Sequence, residues 1–108
     1  TAIVAGPSRA PGSFLFSQNY PNPFNPSTTV QFELPTNGFV SITVYDLTGK
    51  HVKRLLNTNT SAGAHSIQWN GRDDNGRTVA AGIYLYQIEL NDGSGKKTVL
   101  MKKMSLVR

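Results

Sequence analysis

The chain has 108 residues, of which 38% are hydrophobic and 16% are charged, and its net charge is +5. This length supports one globular domain with a modest core and is too short for two. The chain has no cysteine, which excludes a disulfide framework and a cysteine metal site. No apolar run reaches the roughly 20 residues that a membrane-spanning helix requires.

Residues 1–13 are rich in small residues and proline, and the chain does not begin with methionine. We interpret them as a linker or a cloning remnant that precedes one domain at residues 14–108. The sequence is therefore expected to be the end of a longer protein. Any proteolytic cut is expected before Phe14, because proteases need extended and accessible backbone.

The segment Asn19–Pro26, called the proline segment below, contains three X-Pro steps. Proline fixes φ and holds the preceding residue extended, so Asn22 and Asn25 are predicted to be extended and the segment cannot be helical. The spacing of Tyr20 and Phe24 predicts that both rings insert into an apolar surface and dock the segment as a brace. A plain proline-rich loop is the alternative. The structural motif comprises Tyr20, Pro21, Asn22, Pro23, Phe24, Asn25 and Pro26.

Alternation with a period of two predicts half-buried antiparallel strands along the chain. The residues predicted to face the core are Thr28, Val30, Phe32, Leu34, Val40, Ile42, Val44, Tyr84, Tyr86, Ile88 and Leu90. Trp69 is predicted to anchor the core from the centre of a strand. The dipeptide Asn37-Gly38 predicts a tight hairpin. The last strand, 97–107, has apolar residues on both faces, so its register stays open.

About seven short strands, regular turn signals and no helical period indicate an all-β fold. The predicted architecture is an immunoglobulin-like antiparallel β-sandwich. A small barrel is the alternative.

Enzymatic chemistry has little support in the sequence. His51 and His65 lie on different predicted strands, and no serine stands in a Gly-x-Ser-x-Gly turn. The loop Asp73–Gly76 resembles a calcium loop, but the EF-hand spacing would place glycines at the first and last ligand positions. A turn is the favoured interpretation, and an incidental calcium site stays open. We predict no catalytic residue, no cofactor and no metal ligand.

The composition also argues against nucleic-acid binding, because the aromatic residues lie mostly at core-facing positions and form no stacking platform between the basic residues. Sugar binding requires an exposed aromatic stripe. Only Phe39, Tyr45 and Phe14 are predicted to face outward, and they are few and scattered.

Five sequence blocks occur in order along the chain: Asn19–Pro26, Thr29–Pro35, Val44–Val52, Gly63–Gly71 and Gly82–Tyr86. Together they closely resemble the C-terminal sorting domain of type A cargo of the type IX secretion system. That domain is similar in fold to the immunoglobulin-like domain of the flagellar hook-capping protein. The resemblance runs from about residue 14 to the end of the chain.

The resemblance implies a non-catalytic tag on an upstream cargo protein. In the family, the secretion machinery reads the tag, and a sortase usually removes it and attaches the cargo to a surface lipopolysaccharide. The expected route is through the periplasm to the cell surface or medium, without membrane insertion and as a monomer. The alternative is a structural or binding immunoglobulin-like module of a multidomain extracellular protein, either carbohydrate-binding or hook-capping-like.

The resemblance also suggests which residues the machinery reads. Gly82 and Tyr84 match the family's Gly-x-Tyr, and Lys102 and Lys103 lie in its basic last strand. The segment Lys103–Arg108 corresponds to the extreme C-terminus that the machinery most needs. The implied recognition residues are Gly82, Tyr84, Lys102, Lys103, Met104, Leu106, Val107 and Arg108.

Overall fold

The computed structural model describes residues 8–10 and 14–108, and these residues form eight β-strands. The strands are β1 (Ser8–Ala10), β2 (Phe14–Phe16), β3 (Thr28–Leu34), β4 (Gly38–Asp46), β5 (His51–Thr60), β6 (Gly63–Trp69), β7 (Gly82–Asn91) and β8 (Lys97–Leu106). Within the described residues, no helix is long and apolar enough to cross a membrane. Part of the predicted linker is thus a short strand, β1, and the rest of residues 1–13 lies outside the described residues.

The strands form two four-stranded sheets that pack face to face. The first sheet has the order β1-β2-β3-β6 and the second has the order β5-β4-β7-β8, and all neighbouring strands are antiparallel. The chain crosses between the sheets after β3, β5 and β6. The predicted all-β, immunoglobulin-like sandwich is confirmed.

The core lies between the sheets and is built by the alternation seen in the sequence. Inward residues of β3, β4 and β7 are buried, whereas most of their neighbours in sequence are partly exposed. The buried hydrophobic residues are Phe16, Phe24, Val30, Phe32, Leu34, Val40, Ile42, Val44, Trp69, Tyr84, Tyr86, Ile88, Leu90, Met104 and Leu106. The predicted core faces of the three strands are therefore confirmed.

Two local predictions are wrong. Trp69 is buried as predicted, but it is the last residue of β6 and not its centre. Asn37-Gly38 is not a hairpin turn, because the chain passes there from one sheet to the other. Gly38 serves close packing: a Cβ atom there would lie 2.7 Å from Leu90 Cδ1 and 2.8 Å from the Asn91 carbonyl oxygen.

Three exposed turns share the pattern Asp-x-polar-Gly-basic, at Asp46–Lys50, Asp73–Arg77 and Asp92–Lys96. In each turn, one aspartate oxygen accepts the backbone N–H groups two and four residues further on, at 2.9–3.3 Å. The glycines have φ between 81° and 92°, which side chains with a Cβ rarely adopt. The aspartate and the glycine together define the turn.

Hydrogen bonds lower the pKa of three exposed aspartates, Asp46, Asp74 and Asp92, because they favour the charged form of a carboxylate. Bonds from the Thr48 side chain and the Lys50 N–H hold the pKa of Asp46 below 3.8, and the Ser94 hydroxyl and N–H lower the pKa of Asp92. The pKa of Asp74 is lowered by the side chain of His51, 2.6 Å away, and by the Arg54 N–H. The folded chain therefore binds these three protons more weakly than the unfolded chain does.

We expect the stability from these aspartates to be present above pH 3.8, their ordinary pKa, and to be lost as the pH falls through their lowered folded pKa values. The variant with Asp46→Asn, Asp74→Asn and Asp92→Asn keeps an acceptor oxygen at each position and removes the titrating group. Its free energy of unfolding, measured in urea from pH 7 to pH 2.5, should depend less on pH than that of the unaltered chain. The same fall in the free energy of unfolding at low pH for the variant and the unaltered chain would contradict this account.

Trp69 joins the two sheets and the loop after β6. Its ring lies 5.7 Å from that of Phe24 and 5.5 Å from that of Tyr84, and its Nε1 donates to the Arg72 carbonyl oxygen at 2.8 Å. Trp69→Ala should lower the free energy of unfolding by about 3–5 kcal/mol, because it leaves a cavity and an unpaired carbonyl. Trp69→Phe should cost less. An unchanged urea midpoint for Trp69→Ala would show that these contacts carry no stability.

Candidate recognition site at the C-terminal strand

β8 is the edge strand of the second sheet and pairs only with β7 among the described strands. Its register is continuous from Gly82 opposite Leu106 to Asn91 opposite Lys97. Met104 and Leu106 point into the core, and both are 1% exposed. The register that the sequence left open is therefore fixed by these two residues.

The outward face of β8 is different in character. Val99, Met101 and Lys103 are exposed there, and Ile83 of β7 is exposed on the same face. Lys102 lies on the opposite face and is partly buried, because successive side chains of a strand alternate. The two lysines of the expected motif therefore do not form one patch.

The proline segment covers the outer edge of β8 near the C-terminus. Phe24 N–H donates to the Ser105 carbonyl oxygen, and Val107 N–H donates to the Phe24 carbonyl oxygen, both at 2.9 Å. These bonds place Phe24 in a parallel bridge with Leu106. The brace predicted from the prolines is therefore present, and its target is the last strand.

Two side chains extend this contact. Asn22 Oδ1 accepts the Ser105 N–H at 2.9 Å, and Gln18 Nε2 donates to the Lys103 carbonyl oxygen at 2.7 Å. An edge strand normally leaves such groups open to pairing with another chain. Here the edge is sealed from the Lys103 carbonyl to the Val107 N–H. The edge between Lys97 and Met101 has no strand paired to it among the described residues.

A buried polar cluster holds the start of the proline segment. The Asn19 N–H donates to the Tyr86 hydroxyl at 2.7 Å, and Asn19 Nδ2 donates to Thr28 Oγ1 at 2.9 Å. The Tyr86 hydroxyl donates to the Ser17 carbonyl oxygen at 3.2 Å. Burial raises the pKa of Tyr86, which keeps the hydroxyl protonated and able to donate. The segment is thus attached to the core before its first proline.

The two aromatic residues of the proline segment have different environments. Phe24 is buried and packs against Trp69, as predicted. The prediction for Tyr20 is wrong, because its side chain is 80% exposed. Tyr20 is held through its backbone, which exchanges two 2.9 Å hydrogen bonds with Thr29. Its ring is therefore free to point into solvent.

The expected Gly-x-Tyr residues support the core. Tyr84 is 7% exposed and packs edge-on against Trp69, and its hydroxyl donates to the Ala80 carbonyl oxygen at 2.5 Å. Gly82 has φ 152°, which disfavours a side chain. A partner that docks on the folded domain therefore does not reach the Tyr84 ring.

The last two residues are exposed. Val107 contributes its N–H to Phe24, and Arg108 donates to the Val79 carbonyl oxygen through Nε at 3.2 Å and Nη2 at 2.7 Å. Of the implied recognition residues, Lys103, Val107 and Arg108 thus present side chains to solvent, whereas Met104 and Leu106 do not.

The two histidines lie on different sheets, His51 on β5 beside Asp74 and His65 on β6, where Nε2 is 2.7 Å from the Ser61 carbonyl oxygen. Within the part of the chain that the structure describes, no three His, Asp or Glu side chains are grouped to hold a metal. In the loop Asp73–Gly76, the carboxylates of Asp73 and Asp74 accept hydrogen bonds from backbone N–H groups of the protein.

The model of the FlgD Ig-like domain family matches residues 21–94, more than half of the chain. The chain belongs to the FlgD Ig-like domain family. No curated protein sequence gives a significant match. The family match covers the proline segment from Pro21 onward and ends at residue 94, before β8 begins at Lys97.

Solved structures resemble the domain over most of its length. Dimeric latent PorU from Porphyromonas gingivalis aligns with 96% of this chain at a TM-score of 0.72 and 25% identity. FlgD from Xanthomonas campestris, described as a hook-capping protein essential for flagellar assembly, aligns with 85% of the chain at 0.63 and 28% identity. PorZ from P. gingivalis, described as an essential surface component of the type IX secretion system, aligns with 84% at 0.49 and 24% identity. The chain spans 10% of PorU, 67% of this FlgD and 11% of PorZ.

Two variants of the proline segment test its contact with β8. Asn22→Ala should lower the free energy of unfolding by about 1 kcal/mol, because the Ser105 N–H loses its acceptor. Asn25→Ala, in the same segment, removes an exposed amide that accepts no such bond and should change stability by less than about 0.5 kcal/mol. Urea unfolding measures both. Equal effects would show that the Asn22–Ser105 bond does not seal the edge.

Proposed function

We propose that this domain is a non-catalytic C-terminal signal that directs a covalently linked upstream cargo protein across the outer membrane through the type IX secretion system. The machinery reads the folded domain, and a sortase removes it at the cell surface. The five ordered sequence blocks support this proposal, and the similarity to PorU along 96% of the chain agrees with it. The domain travels through the periplasm as a monomer, without nucleic acid and without entering the membrane.

The observation that carries the proposal is the half-sealed edge of β8. The proline segment fixes the C-terminal end of the strand, so the backbone beside Lys97–Met101 is presented in a constant position. An exposed edge offers main-chain hydrogen bonds to an extended segment of a receptor. Exposed Val99 and Met101 add apolar contact area, and Lys103 favours an acidic partner while opposing pairing between copies of the domain.

A point substitution in β8 tests the proposal better than a deletion of the C-terminus. Deleting Met104–Arg108 removes two core side chains and the backbone partners of Phe24, so that deletion would unfold the domain as well as remove a signal. Lys103→Glu reverses an exposed charge beside the open edge and leaves the core intact. Arg54→Glu makes the same charge change on β5, the opposite edge of the sheet, and is the matched control.

The test uses a signal peptide, a fluorescent protein and residues 14–108, expressed in a host with the type IX system. We expect system-dependent delivery of the fluorescent protein to the surface or medium, a several-fold loss with Lys103→Glu, and no loss with Arg54→Glu. Circular dichroism and melting curves of the purified domains establish that both variants fold. Periplasmic retention of the unaltered fusion would overturn the secretion role, and equal export by both variants would overturn the assignment to the β8 edge.

The family match favours one second candidate, a structural immunoglobulin-like module, because FlgD from X. campestris is described as a hook-capping protein. In that case the domain would remain attached to its upstream protein and fold normally, and the fusion would stay in the periplasm. The same experiment therefore separates the two functions.

A further inference from the structure

A hollow of about 560 Å³ lies at the end of the sandwich opposite the proline segment. It is formed where the connections after β3, β5 and β7 come together. Its lining residues include Asn37, Phe39, Asn59 and Asn91. Ligand sites typically have volumes of about 300–1,000 Å³. The hollow is large enough for a small organic ligand, and its lining residue Asn91 pairs with Lys97 at the start of β8.

The strand register places an aromatic ring between two amides. Phe39 pairs with Asn59 on β5 and with Asn91 on β7, so the three side chains form a row on the outward face of the second sheet. Phe39 is 37% exposed, although large aromatic side chains are normally covered. The row therefore presents the face or edge of a phenyl ring flanked by carboxamide groups.

The amides are available for a ligand. The side-chain amides of Asn59 and Asn91 make no hydrogen bond to any residue in the described ranges 8–10 and 14–108. Asn37 Oδ1 accepts the Ala62 N–H at 2.8 Å, and its two N–H donors remain. Each carboxamide can donate two hydrogen bonds and accept two. Three asparagines around one ring thus offer many donors and acceptors in a small volume.

None of the residues that line the hollow carries a charge. A phosphate or carboxylate ligand would therefore lack a cation to compensate its charge, and a cationic ligand would lack an anion. A purely apolar ligand would leave the amides without partners. Hydroxyl groups match the amides, and the C–H face of a sugar ring packs on an aromatic side chain. We propose that this hollow is a binding site for neutral saccharides.

A second hollow of about 300 Å³ extends the site. It shares Asn59, Thr60 and Ser61 with the first and has Phe32 and Leu56 among its lining residues. The combined surface runs around the end of β5 from the outward face toward the gap between the sheets. A ligand longer than one sugar ring is therefore favoured, because it can occupy both hollows. This binding function is independent of the proposed secretion role.

The experiment titrates the purified, ¹⁵N-labelled 108-residue chain with four neutral probes: cellohexaose, xylohexaose, mannohexaose and maltohexaose. We expect saturable shifts of the side-chain amide signals of Asn37, Asn59 and Asn91 with at least one probe, at millimolar concentration. Asn59→Ala and Asn91→Ala should each weaken binding by about fivefold to tenfold. Phe39→Leu keeps an apolar side chain and loses the planar ring, and should weaken it by at least about tenfold.

Asn57→Ala is the matched control, because Asn57 is exposed on the same face of β5 and lies outside both hollows. It should bind as the unaltered chain does. Backbone amide spectra of each variant establish that the fold is kept. The proposal is overturned if none of the four probes gives a saturable shift at concentrations up to about 20 mM. It is also overturned if Asn57→Ala weakens binding as much as Asn59→Ala.

Discussion

The hydrogen bonds between Phe24 and the last strand join the beginning of the domain to its end. They satisfy backbone groups of Ser105 and Val107 that an edge strand would otherwise expose. Phe24, which makes these bonds, packs against Trp69, and Asn19 at the start of the proline segment is hydrogen-bonded to Thr28 and Tyr86. Core packing, the route of the proline segment and the placement of β8 are therefore one linked arrangement.

This arrangement explains how β8 contributes side chains both to the core and to the exposed surface. Met104 and Leu106 fill the sandwich, whereas Val99 and Met101 face solvent on an edge without a neighbouring strand in the described residues. Sealing one half of β8 limits the edge available to other chains to about one short strand. A strand added there would meet a fixed template, and the proline segment blocks pairing along the full length of β8.

Much of the fold could be predicted from the sequence, because alternation along a strand depends on local order alone. The inward faces of β3, β4 and β7 follow from it directly. The hairpin at Asn37-Gly38 was wrong because a turn dipeptide does not reveal whether the next strand stays in the same sheet. The Asp-x-polar-Gly-basic pattern of the three turns is present in the sequence, but the two backbone N–H groups that each aspartate accepts are seen only in the structure.

The candidate sites depend on tertiary pairing and were harder to predict. The prolines predict a docked brace with both aromatic rings buried. Phe24 is buried but Tyr20 is exposed, because the position of the segment on the last strand determines which ring is covered. The row of Asn59, Phe39 and Asn91 comes from three strands far apart in sequence. Phe39 alone looked isolated, since the register that surrounds it with amides has no local signature.

Amide hydrogen exchange along β8 tests the central claim, that the proline segment seals one half of this edge. In a continuous antiparallel register, the N–H groups of Val99, Met101 and Ser105 all point away from β7. The account predicts slow exchange at Ser105 and Val107 and fast exchange at Val99 and Met101. Exchange at Ser105 and Val107 as fast as at Val99 and Met101 would contradict it.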